Sequence, residues 1–246
     1  MKLIRLLLLV TLQLSLVLGN PAEEFHYVVH YFLLPGLEMK MKIFRDIEFE
    51  GEKYHRIDVS TRTKKIFDRI FAIDNFYSSV YHALNFHCHY FEKTIRQPNV
   101  EQHLTVRYTD HLAFYSTGET RPVENHIFDF FSMLMYLRTL DDEQFEKERI
   151  IIDMEGELFE VRFEILQEED IKVAHHEVPT IKISLIYKKL NPLQPSVLDY
   201  TDIFFWKIAE EKGEKYIWIE KAELRRIIKA RFAEGGRFLE AKLTEK

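Results

Sequence analysis

The chain has 246 residues, a net charge of −6 and no run of five or more Lys or Arg, which argues against nucleic acid or an anionic membrane surface as a partner. Aromatics make up 14%, with 20 Phe and 12 Tyr against 8 Gly and 7 Pro, so the composition is that of a well-packed globular chain and not of a disordered one. Cys88 is the only cysteine, so no intramolecular disulfide can form and the core must hold the fold by itself.

Residues 1–19 read as an export signal. Lys2 and Arg5 form a positive start, residues 6–18 an apolar run, and Val17 and Gly19 occupy the small-residue positions before a cut that would leave Asn20 first. A retained anchor needs roughly 20 apolar residues, and this run is shorter and followed by Pro21 and Glu23-Glu24. The expectation is a cleaved signal peptide, no transmembrane anchor after cleavage, and a periplasmic domain spanning residues 20–246.

From there a period of two dominates. Phe159, Val161, Phe163 and Ile165 alternate with Glu160, Arg162 and Glu164, as Ile181, Ile183, Leu185 and Tyr187 do with polar neighbours. Taken in order, the pattern predicts eleven strands, at 25–32, 38–49, 54–59, 65–73, 102–108, 159–165, 180–187, 203–208, 216–220, 227–232 and 237–243. One apolar and one wet face per strand means an antiparallel sheet, since parallel strands covered by helices are apolar throughout. Turns are expected at Pro35-Gly36, Glu50-Gly51-Glu52, Gly118, Glu155-Gly156-Glu157, Lys212-Gly213-Glu214 and Gly235-Gly236. Only 123–140 breaks the rhythm: Ile127, Phe130, Phe131, Leu134 and Leu137 recur at helical spacing, capped near Asn125. The fold class is therefore all-β with one short helix, a single domain built as an antiparallel curled sheet or open β-barrel with the helix plugging one end.

The search for chemistry yields no catalytic, metal or cofactor residues. His87-Cys88-His89 would put two imidazoles on one strand face and the thiol on the other. His82, His103 and His111 stand at no recognisable zinc spacing from that pair. His175-His176-Glu177 lacks the second histidine of a helical zinc motif and runs into Pro179. No serine has the flanking glycines of a nucleophile elbow. Cys88 is expected to be a buried apolar thiol, and the carboxylate pairs Asp141-Asp142, Glu168-Glu169 and Glu210-Glu211 solvated turns.

Seven segments carry a further likeness: the opening strand before Pro35-Gly36, the stretch from Arg69 to Asp74, the run from Phe91 to Arg96, the segment from Phe128 to Arg138 and, near the end, Glu157 to Glu164, Trp218 to Arg225, and Ala230 to Leu243. In their order they resemble a bacterial exported family known as domain of unknown function 3108. The resemblance implies an exported β-barrel-like domain reminiscent of carriers of lipid or acyl chains, and it carries over no site residues. The leading expectation is a non-enzymatic envelope protein that holds a lipid or other hydrophobic ligand, with Phe159, Val161, Phe163, Trp206 and Trp218 facing it. The alternatives are a packed scaffold for an envelope protein partner and a metal-dependent hydrolase.

Overall fold

The computed structural model describes residues 20–31, 34–66, 71–109 and 111–244. The expected signal peptide at 1–19 lies outside the described residues. One fifteen-stranded sheet runs in the order β8-β7-β6-β5-β4-β3-β2-β1-β15-β14-β13-β12-β11-β10-β9. The strands on one side of the join are β1 (Glu23–Tyr31), β2 (Leu34–Phe49), β3 (Glu52–Thr63), β4 (Asp74–Tyr81), β5 (Cys88–Gln97), β6 (Val100–Tyr108), β7 (Leu112–Tyr115) and β8 (Thr120–Pro122). The others are β9 (Ile127–Phe128), β10 (Arg149–Met154), β11 (Glu157–Val173), β12 (His176–Lys189), β13 (Glu214–Glu220), β14 (Ile227–Glu234) and β15 (Arg237–Thr244).

Among the described residues every strand pairing is antiparallel except the short parallel contact of β9 with β10. β1 pairs with β15, Tyr27 opposite Leu243 and Val29 opposite Ala241, so two consecutive meanders are joined into one sheet. The two edge strands, β8 and β9, are separated only by residues 123–126. That length of chain spans at most about 18 Å. The sheet must therefore curl until its edges nearly meet, and the chain itself closes the seam. Bulges between Phe44 and Ile47 in β2 and between Ile165 and Gln167 in β11 bend two of the longest strands around the barrel.

Two helices fill the inside from opposite ends. Helix α1 (Phe130–Leu137) begins at Asp129, whose carboxylate accepts from the Phe131 and Ser132 backbone N–H groups while the Ser132 hydroxyl accepts from the Asp129 N–H. Seven of its eight residues are buried, and Arg138 just beyond it donates to the Leu224 and Arg225 carbonyls in the connection before β14. Helix α2 (Asp142–Phe145) is a single turn that buries Phe145. Helix α3 (Ile203–Ala209) sits at the other end, where Lys207 faces Glu234, the last residue of β14.

Several sequence expectations are corrected. Residues 203–208 form α3 and not a strand, because the Asp202 carboxylate caps the Phe204 and Phe205 N–H groups and the buried Phe204, Phe205 and Ile208 share a helical face. Residues 65–66 are a turn and 71–73 are not strand, and 67–70 lie outside the described residues. The helix expected at 123–140 is confined to Phe130–Leu137 with its cap at Asp129, since 127–128 are used as β9. Pro35-Gly36 lies within β2 and not in a turn. The sequence pattern does not mark β4, β5, β7, β8, β9 and β10, and for β4 and β5 the reason is visible. In β4, Ser78 and Ser79 are buried beside apolar residues, and in β5 the inward register Phe91, Lys93, Ile95 includes a lysine, so neither strand alternates cleanly.

Candidate functional site

The interior holds an apolar cavity of about 70 Å³ between the two plugging helices and the middle of the sheet. Its floor is the inward face of β1, β2, β3, β14 and β15, including Tyr27, Val29, Met41 and Val59, and its roof is Phe130, Phe131 and Leu134 of α1 with Phe204, Phe205 and Ile208 of α3. Ala230 and Ala241 pair directly across β14 and β15, and their short side chains leave the space that larger inward residues fill elsewhere. The wall's phenols turn their polar ends away: the Tyr27 hydroxyl donates to the Ile227 carbonyl at 3.0 Å and the Tyr77 hydroxyl to Asp202 at 2.9 Å. Burial pushes the Tyr77 hydroxyl well above its usual range, so it remains a neutral donor.

Beside the α3 end of this cavity lies a buried ion cluster. Lys93, fully enclosed, donates to the Glu155 carboxylate and to Asp202 Oδ2 at 3.2 Å, with its Nζ 5.1 Å from the centre of the Phe205 ring. Glu155 reaches inward because it opens the two-residue turn between β10 and β11. Glu155 and Gly156 both have positive φ, 58° and 86°, which gives a tight hairpin turn matched to sheet twist. Glycine is needed there twice over, since a Cβ at 156 would come within 2.6 Å of Arg121 Nη1. Arg121 in turn donates to the Gly156 carbonyl at 2.8 Å and to the Pro195 carbonyl at 2.6 Å. Thr201 donates to Glu155 at 2.6 Å, so the connection leading into α3 is fastened to this turn. Burial raises the Glu155 carboxyl above its ordinary value, opposed by the Lys93 ammonium.

A second buried carboxylate, Asp153, accepts from the Tyr108 hydroxyl at 3.0 Å, the Tyr115 hydroxyl at 2.5 Å and the Gly156 N–H at 2.7 Å. Burial raises its pKa from 3.8 to about 6, against the lowering effect of those hydrogen bonds. The folded state thus holds the proton more tightly than the unfolded one. The stability this contributes is whole below pH 4 and is lost as pH rises through about 6, on the order of 3 kcal/mol. Asp153→Asn is expected to flatten that part of the profile. Chemical denaturation of both proteins at pH 4, 5, 6 and 7 checks it, and parallel profiles would show that Asp153 is not the group responsible.

The five residues expected to face a ligand do not converge. Phe159, Val161 and Phe163 are buried on β11, Phe159 against Tyr187 at 5.8 Å and Phe163 against Phe145 of α2 at 6.4 Å, and none lines the cavity. Trp218 lies on the face opposite Ile217 and Ile219, donates its indole N–H to Glu169 at 2.6 Å, and is sandwiched by the Lys182 and Lys229 ammonium groups. Trp206 is 45% exposed, because a helix turns it outward between the buried Phe205 and Lys207. The alternation of Tyr27 with Val29 and of Met39 with Met41 was the available signal for the true wall.

The histidines part company. β5 begins at Cys88, so His87 lies before the strand and meets His126, Nδ1 to Nδ1, at 3.3 Å, whereas His89 contacts Glu50 at 3.2 Å and stacks on Tyr54. Burial, with His126 and His82 nearby, lowers His87 to about 4. Cys88 is buried, and that burial raises its thiol well above the usual range, which leaves no thiolate for nucleophilic attack. Among the described residues no three His, Cys, Asp or Glu side chains are grouped to hold a metal ion. No helix among the described residues is long and apolar enough to cross a membrane.

No curated protein matches the chain. Among solved structures it is similar to the crystal structure of a β-barrel-like protein of domain of unknown function DUF1849 from Brucella abortus. The TM-score is 0.51 and the identity 10%, over 89% of this chain and 94% of that one. That likeness is one of fold. The family described as "Protein of unknown function (DUF3108)" matches residues 26–243, nearly the whole of the barrel from β1 to β15, and the chain belongs to it.

Proposed function

We propose that this chain is an exported, non-enzymatic holder of an apolar ligand, whose tail enters the cavity between α1 and α3. The observation that carries the reading is the wall itself: side chains of six strands and two helices converge on an apolar space whose phenols donate elsewhere. The cavity is about half the roughly 150 Å³ that admits benzene in an engineered core. A long tail therefore enters by moving Phe204, Phe205 and Ile208 aside. Helix α3 suits this role, since it is one short segment between two connections, fastened by polar groups at its start, whereas α1 buries Met133 and Leu137 completely.

A thermal melt with a panel of single-chain lipids, fatty acid, lysophospholipid and monoacylglycerol, tests the reading. At a hundredfold excess over Kd a ligand stabilises by about 2.7 kcal/mol, which for a domain of this size raises Tm by roughly 5–10 °C. Tryptophan emission should shift with it, because Trp206 neighbours the moving Phe205. Ala241→Leu, which fills the cavity, should abolish both effects. No shift across the panel would overturn the reading in favour of a packed scaffold for an envelope protein partner, which the small volume supports.

Export is part of the proposal. Protein recovered from the periplasmic fraction should begin at Asn20, and a product in the membrane fraction that still begins at Met1 would overturn it.

A further inference from the structure

Asn75 is completely buried on β4, and its side-chain carbonyl has no hydrogen-bond partner. Its orientation follows from the neighbouring bonds. The Tyr77 hydroxyl spends its one hydrogen on Asp202, so the Asn75 atom 3.2 Å from that hydroxyl must be the amide nitrogen, and the oxygen is left over. An unpaired buried carbonyl costs about as much as a lost hydrogen bond. It sits directly behind the cavity wall: Thr61, across the ladder from Asn75, and Tyr77, which it bonds, both line the apolar space, while Asn75 itself does not.

The surrounding charges define what can approach. One ammonium, Lys93, stands against two carboxylates, Glu155 and Asp202. Two of the lysine's donors go to those carboxylates, and its Nζ lies over the Phe205 ring. Thr201 and Tyr77 likewise spend their hydroxyl hydrogens on Glu155 and Asp202. Asn75 Oδ1 is a spare acceptor, and two carboxylates stand against one ammonium, so the cluster disfavours an anionic headgroup. A headgroup that brings its own hydrogen finds a partner.

We propose that the ligand is a neutral amphipath whose apolar tail occupies the cavity and whose hydroxyl or amide N–H donates to the Asn75 carbonyl. This rests on the apolar-holder reading above and adds the headgroup class to it. Lys93, Glu155 and Asp202 act as positioning residues that repel anionic heads and fasten α3 over the tail.

The test measures Kd for 1-monomyristoylglycerol and for myristate, below their micellar concentrations, by Trp206 emission and by thermal shift, with wild type and Asn75→Leu. Wild type should prefer the monoacylglycerol by about tenfold, the size of one buried hydrogen bond. Asn75→Leu should bring the two within about twofold while keeping the tail's affinity. Equal or tighter myristate binding by wild type would overturn the headgroup assignment and leave the apolar-holder reading standing. An unchanged preference in Asn75→Leu would also overturn it, and absence of binding by either lipid would overturn both. The wild-type ratio decides the matter even if Asn75→Leu fails to fold.

Discussion

Lys93→Met is expected to cost about 3–5 kcal/mol. The substitution leaves Glu155 and Asp202 buried without their counter-ion, and an uncompensated buried charge is far worse than none. The two carboxylates cannot relax toward water, since Asp202 is fully buried at the cap of α3 and Glu155 is locked in a tight turn. Denaturant unfolding should show the midpoint fall with an unchanged slope. Adding Glu155→Gln and Asp202→Asn to Lys93→Met should recover most of the loss, because Asn still caps a helix and neutral amides need no ammonium. A single-substitution loss below about 1 kcal/mol would show that the cluster is solvated and not a buried lock.

Phe159→Ala should also cost about 3–5 kcal/mol, through lost burial and the cavity left behind, while leaving any lipid-induced melting shift intact. Phe159 is 1% exposed and packs against Tyr187, away from the wall formed by α1, α3 and the central strands. Phe205→Ala should do the opposite in kind, enlarging the cavity and changing lipid affinity, since Phe205 forms part of its roof. The comparison is read in paired melts with and without monoacylglycerol. A lipid response lost in Phe159→Ala and kept in Phe205→Ala would move the binding site to β11.

These two residues also mark how far the sequence reaches. Phe159 sits on a strand whose alternation is clean, and its burial follows from that pattern alone. Lys93 occupies the same kind of inward position in β5, yet a lysine there reads as solvent. What makes its burial stable are carboxylates 62 and 109 residues away, and no local pattern carries that information.

Alternation and turn residues were thus enough to determine an all-β, antiparallel, curled sheet with a helix inside, a family resemblance, and a buried Cys88. Those features depend on contacts between neighbours or on a period that each strand shows by itself. Tertiary structure alone decided that 203–209 coil into α3, because the cap at Asp202 and an apolar interior outweigh the strand preference of Phe204, Phe205 and Trp206. It also decided that β8 and β9 become the two edges of one sheet joined by four residues and that Trp218 lies on the outer face between two lysines. The cavity depends on the facing alanines Ala230 and Ala241, whose effect exists only once distant strands share the inner face of one curled sheet.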